Sequence, residues 1–198
     1  DLGAPDRYAI PEERLKKYGF KNMHQFRNWR WYKGLGGGPI VDLGSHPIDS
    51  LRWFSGREIA AITATQGRQR FVDQEDFFDQ GMICARLDNG AGGLIAVDWL
   101  QPDGGGFNFT LQIMGTAGAI RLADAKRMTV SSVTAPPREV EITDACRPKV
   151  SIYEDFRRGC LDEGYAPLLS TEDVLESARW LLRARDTAQA PSPRWATA

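Results

Sequence analysis

The chain has 198 residues, enough for a domain with a real core, and its 42% hydrophobic and 26% charged residues are an ordinary globular mixture. A net charge of −1 offers no basic surface for nucleic acid or an acidic membrane, and no apolar run reaches the roughly 20 residues that a spanning helix needs. Cys84, Cys146 and Cys160 are too scattered for a disulfide framework or a metal site; we expect no metal and a reducing, cytoplasmic setting.

The chain opens at Asp1 with neither a methionine nor a basic-then-apolar leader, and reads as part of a longer polypeptide. Residues 1–198 read as one domain, with a linker over 1–23 and a fraying tail over 189–198. Inside the linker, Pro11-Glu12-Glu13 opens a short helix that runs through Lys17 and is closed by Gly19. His24 to Lys33 reads as a strand with Phe26, Arg30 and Tyr32 on one face and Arg27, Trp29 and Trp31 on the other. Its aromatic planes and guanidinium forks suit sugar rings and carboxylates; an amphipathic strand that merely covers a core has the same pattern. Gly34 to Gly38 fails as a phosphate loop, because Pro39 holds the last glycine position and no apolar strand precedes it.

Pro39 fits a first helical position and Gly56 the residue just past a helix end. Between them, Pro47 either kinks one continuous helix or marks a fresh start capped by Ser45. Strand candidates follow at Ile59–Gly67, Phe77–Leu87, Gly92–Leu100, Phe107–Met114, Ala119–Leu122, Met128–Ser132 and Glu139–Ile142. Asp88-Asn89-Gly90 is a strong hairpin signal, Gly115 to Gly118 a second turn, Gly104-Gly105-Gly106 a hairpin or flexible loop, and Ala135-Pro136-Pro137 a surface turn. Two helices close the chain: Ile152–Leu161, with Ile152, Phe156 and Cys160 at spacing 4, and one begun by Ser170 or Thr171, with Val174, Leu175, Ala178, Leu181 and Leu182 as its apolar face. Short connections and alternating patterns predict an α+β fold, an open, mostly antiparallel or mixed sheet with helices packed on one face.

The central helix carries the chemistry. Asp42, His46, Asp49 and Trp53 are spaced to form one stripe, and Val41, Gly44, Ile48 and Leu51 a second that packs inward. A carboxylate and an imidazole one turn apart can share a proton and serve as a general base. Ordinary helix-start acids and satisfied histidines meet the same spacing.

Gly36-Gly37-Gly38, then Asp42-Leu43-Gly44-Ser45-His46, then Asp49, resembles the signature of the Gfo/Idh/MocA oxidoreductases, in their C-terminal substrate domain. Glu75-Asp76 to Gly92-Gly93, Leu111 to Ala119, and Phe156, Gly159, Pro167, Ser170, Glu172-Asp173 and Ser177 to Ala184 resemble later family segments in the expected order. The resemblance implies a domain that holds a sugar or polyol while an N-terminal Rossmann domain binds NAD or NADP. By it, His46 takes the hydroxyl proton and Asp42 orients or shares it; from the aromatic and charged pattern itself, Trp29, Arg30, Lys33 and Asp49 are candidates to hold the substrate. The family's Glu-Lys-Pro lysine and its nucleotide fingerprint are absent here, so cofactor-binding residues are unknown and the chain alone is expected to be inactive. Two other readings stay open: a non-catalytic sugar-binding or dimerisation module, and an NAD-assisted glycoside hydrolase. A homo-dimer or tetramer is expected through the exposed sheet face, with Trp99 as a candidate to line it or to join the core.

Overall fold

The computed structural model describes residues 10–71, 76–100, 109–122, 126–146 and 148–188. It divides into two compact units, one of residues 1–100 and 171–198 and the other of 101–170. The first contains α1 (Glu12–Lys17), α2 (Met23–Arg27), a 3₁₀ turn (Trp29–Trp31), α3 (Pro39–Ser55), strands β1 (Ile59–Gly67), β2 (Gln80–Leu87) and β3 (Gly92–Asp98), and α5 (Thr171–Thr187). The second contains β4 (Leu111–Gly115), β5 (Gly118–Leu122), β6 (Arg127–Ser132), β7 (Ala135–Glu141), a 3₁₀ turn (Asp144–Cys146) and α4 (Ile152–Leu161). The class is α+β, and the strands form two open sheets, β1-β2-β3 and β4-β5-β6-β7, whose described pairs are all antiparallel.

In the first unit α3 and α5 pack on one face of β1-β2-β3. Strict alternation along the strands aims Ile62, Ala64, Ile83, Ala85, Ile95 and Val97 at that face. Ile40 and Ile48 of α3, both 0% exposed, and Trp180, Leu181 and Ala184 of α5 complete the core. The inward stripe of α3 holds as expected: Gly44 and Ile48 are buried, Val41 and Leu51 half-buried. Pro47 lies inside one continuous helix. The hydrogen bond it forfeits to Leu43 is outweighed by a buried stripe that continues through it from Ile40 to Ile48. The hairpin at Asp88-Asn89-Gly90 is also as read, with Gly90 at φ 87° and Arg86 opposite Gly92.

Several expectations are corrected. His24 to Lys33 is no strand. The Asn22 side chain accepts the Gln25 N–H at 2.8 Å and starts α2, and the aromatic residues that follow gather in one cluster instead of alternating between faces. Ala135-Pro136-Pro137 is the start of β7, not a turn; β7 is an edge strand whose register against β6 shifts between Val130 and Ser132, opposite the two prolines, and the turn is Val133-Thr134. The second strand begins at Gln80, not Phe77, and β3 ends at Asp98, whose carboxylate accepts the Leu100 N–H at 3.0 Å. Of the expected face of α5, Leu181 is buried, but its buried neighbours are Ser177, Trp180 and Ala184, while Val174, Leu175, Ala178 and Leu182 are exposed. Trp99 packs against Trp31 with ring centroids 4.7 Å apart. Gly104-Gly105-Gly106, Phe107, Glu75 and the 189–198 tail lie outside the described residues.

In the second unit Asp155, the buried residue of α4, accepts the Tyr165 hydroxyl at 2.7 Å and the Leu168 N–H at 3.0 Å, folding the following turn back on the helix. These bonds, that from Tyr165 first, hold its carboxyl below the usual range. Ile152, Phe156 and Cys160 keep their one-turn spacing but stand exposed.

Arg52 was not foreseen. It is 8% exposed, at the end of α3, and its fork donates to both Glu58 oxygens at 2.9 Å, to the Asp173 carbonyl at 2.9 Å and to Ser177 Oγ at 2.9 Å. It therefore ties α3 to α5 and to the chain entering β1. Arg52→Met keeps the stem but strands the Asp173 carbonyl and leaves Ser177 only its bond to Asp49. It should lower stability by about 2–3 kcal/mol, less than a fully buried pair because Glu58 can return to water. Urea unfolding measures this, and a midpoint equal to that of the unaltered chain would contradict the clamp.

Candidate functional site

The site is built around the glycine turn that enters α3. The Tyr32 carbonyl accepts the N–H groups of Leu35, Gly36 and Gly37 at 2.9–3.1 Å, and the Gly38 N–H donates to the Arg30 carbonyl at 3.0 Å. Gly37 and Gly38 have φ of +87° and +78°, in the left-handed region that side chains avoid. At Gly36 the demand is for space: a Cβ would lie 2.2 Å from Arg30 Cα and 2.5 Å from its carbonyl oxygen. The turn is thus wrapped directly on the backbone of the residue it positions.

Beneath it lies an aromatic cluster of Trp31, Tyr32 and Phe77, with Phe71 and Trp99 against it. Lys33 N–H donates to the Asp76 carbonyl at 2.8 Å and Phe78 N–H to the Trp31 carbonyl at 3.2 Å, so the 31–33 segment is sewn to the strand side. His24 Nδ1 and the Tyr32 hydroxyl share a 2.8 Å hydrogen bond; burial lowers the histidine's pKa and raises the tyrosine's. Asp79, 0% exposed, accepts the N–H groups of Gln69, Arg70 and Phe71 at 2.8–3.1 Å and so fixes the loop that leaves β1. An acid in the apolar run Phe77-Phe78-Asp79 was the signal for it. Nothing in the pattern of β1 marked Gln66, which is buried with both amide atoms unpaired among the described residues, its oxygen 3.2 Å from where a Gly38 Cβ would stand.

Of the expected site residues, Arg30 and Asp42 come together: Arg30 Nε lies 3.6 Å from Asp42 Oδ1, and the aspartate side chain is only 13% exposed. His46 stands exposed one turn further along α3, and among the described residues its ring makes no hydrogen bond. Trp29 and Lys33 are exposed on the segment that carries Arg30. Asp49 turns toward α5, where its carboxylate accepts the Ser177 hydroxyl at 2.9 Å and joins the Arg52 network. The arrangement offers an exposed imidazole, a shielded carboxylate and a guanidinium on one rigid support. Among the described residues no cluster of His, Cys, Asp or Glu could hold a metal. The glycine turn joins a 3₁₀ turn to a helix, and the described strands pair only antiparallel. These residues therefore do not fit the parallel strand–turn–helix cradle of a dinucleotide.

Gly36→Ala should force the Trp29–Trp31 turn away from α3 and cost about 1–3 kcal/mol, the usual penalty of overpacking. Gly34→Ala is the comparison, since nothing lies within 4 Å of its Cβ position. Denaturant unfolding of the two proteins gives the answer, and equal midpoints would refute the close approach.

Residues 16–121, just over half of the chain, match the family model described as the GFO/IDH/MocA C-terminal domain. Over 96 residues the chain is 30% identical to an inositol 2-dehydrogenase of Streptomyces avermitilis, covering 48% of this chain and 27% of that one. Among solved structures, an aldose-aldose oxidoreductase from Caulobacter crescentus complexed with glycerol superposes with a TM-score of 0.64 at 20% identity, over 80% of this chain and 48% of that one. An inositol dehydrogenase homolog complexed with NAD+ from Azotobacter vinelandii gives 0.63 at 16% identity, over 83% and 50%. At these identities the structures speak for the fold alone, and the chain spans about half the length of each. With the glycine turn, the Asp42–His46 stripe and the antiparallel sheet already in place, the match settles the family: the chain belongs to the Gfo/Idh/MocA oxidoreductases and carries their C-terminal domain.

Proposed function

We propose that the chain is the substrate-holding half of an NAD(P)-dependent oxidoreductase acting on a hydroxyl of a sugar or polyol. The observation that carries this reading is the outward stripe of α3, where Arg30 flanks a shielded Asp42 and His46 stands open to a ligand one turn on. A ring nitrogen of His46 takes the proton of the substrate hydroxyl. Asp42 offsets the positive charge that the ring gains, and Arg30 keeps the carboxylate turned to the site. Trp29 and Lys33, exposed beside Arg30, supply a flat apolar plane and a donor for a polyhydroxylated ring. NAD or NADP, held by a separate domain of the same polypeptide, supplies the hydride acceptor. The polyol and aldose enzymes among the similar proteins support the substrate class.

In the polypeptide that joins this domain to its nucleotide-binding partner domain, His46→Ala should cut turnover by about two to four orders of magnitude, with nucleotide affinity nearly unchanged. Asp42→Asn should cost less, because it leaves the base in place, and Asp49→Asn less still, because that carboxylate is engaged with Ser177. Steady-state kinetics with fluorescence titration of the nucleotide reads both. Near-normal turnover in His46→Ala would remove the histidine from the mechanism.

The outer face of β1-β2-β3 supports self-association. Thr63, Cys84 and Leu94 form one cross-strand row and Thr65, Met82 and Ala96 the next, all exposed, with Leu94 81% and Met82 59% exposed. A homo-dimer through this face would cover them. Light scattering of the chain should give twice 22.1 kDa and Leu94→Glu should return the monomer; a monomer at high micromolar concentration would end this reading. No described helix is long and apolar enough to cross a membrane, and Cys84, Cys146 and Cys160 are all free and exposed, which supports a cytoplasmic setting.

A further inference from the structure

We propose that Arg185, from the last turn of α5, acts with Arg30 as a pair of guanidinium groups that reads an anionic substituent, a carboxylate or a phosphate, on the bound sugar or polyol. The inference rests on the reading of α3 as the substrate site and names the class of substrate that the site selects.

The two arginines come from distant parts of the chain and meet the same glycine turn. Gly36 lies on the backbone of Arg30, and the next residue, Gly37, has its Cβ position 3.3 Å from Arg185 Cδ. With φ at +87°, Gly37 is a position that side chains avoid; Val41 fills most of the space a Cβ would need, its Cγ2 2.4 Å away, and the stem of Arg185 rests beside it. The turn therefore seats one arginine by its backbone and the other by its aliphatic stem.

Both heads can be recruited by a ligand. The Arg30 side chain is 55% exposed, and its 3.6 Å separation from Asp42 is an ion pair too long to be a hydrogen bond. Arg185 is 38% exposed and pairs with its chain neighbour Asp186, itself 64% exposed, through Nε at 2.8 Å and Nη2 at 2.7 Å. An exposed pair between adjacent residues contributes little and yields readily to a better-placed anion. A planar guanidinium fork matches the two oxygens of a carboxylate or phosphate, whereas a neutral hydroxyl uses only one of its donors.

The test is calorimetric titration of the 198-residue chain with a hexuronic acid, its uncharged primary amide, and a hexose 6-phosphate, at low salt. One of the anionic ligands should bind at least about tenfold more tightly than the amide, and which one does so separates carboxylate from phosphate recognition. In Arg185→Gln that ratio should fall to within about twofold, with the circular dichroism spectrum and melting temperature unchanged. Equal binding of all three ligands would overturn the inference and leave the sugar site standing. A ratio that survives in Arg185→Gln would overturn it as well. If none of the three binds, the substrate-holding reading fails and this inference with it.

Discussion

The first unit depends on one steric constraint, the contact of Gly36 with the backbone of Arg30, where no Cβ can stand. That contact brings the Trp29–Trp31 turn against the start of α3 and lets the Gly38 N–H reach the Arg30 carbonyl. Once the turn is wrapped, the first residues of α3 are held beside the Trp29–Trp31 turn, and Arg30 Nε comes within 3.6 Å of Asp42 Oδ1. A backbone already fixed by the turn leaves only side-chain entropy to be lost when the two charged groups meet.

α3 has two roles that compete for its surface. Its inner stripe is part of the core, so its position is set by packing against β1-β2-β3 and α5. Its outer stripe presents Asp42 and His46, so the same packing sets the proposed site. The helix is held at both ends by different means: by glycines at its start, and by the Arg52 fork at its finish, joined to Glu58, Asp173 and Ser177. A buried arginine is an expensive fastener. It holds because four of its five N–H groups find acceptors, two on Glu58 and one each on the Asp173 carbonyl and Ser177. Asp49 stands at the meeting of the two roles, on the stripe of the site by spacing and in the Arg52 network by contact.

Much of this was legible in the residues. Period-2 alternation fixed β1 to the residue, Pro39 and Gly56 bounded α3, and Asp88-Asn89-Gly90 placed its hairpin, because each of these signals is local. Errors came where a local signal had two outcomes. The alternating aromatics of His24 to Lys33 have strand propensity, but a capped helix and a 3₁₀ turn let Trp31 and Tyr32 share one cluster with Phe77. Pro136 and Pro137 signalled a turn, but they fall where an edge strand shifts its register against β6, a place that tolerates missing N–H groups.

The sequence by itself determined that Asp42 and His46 lie one turn apart on a helix entered through glycines, since that follows from backbone geometry within a few residues. Only the tertiary structure decided what surrounds that helix. That Arg30 reaches Asp42, that Asp49 is drawn to Ser177, that Arg52 is buried and that Arg185 rests on Gly37 are contacts between residues from 12 to well over 100 positions apart. No spacing rule encodes them, because they arise from how the core packs α3 between the sheet and α5.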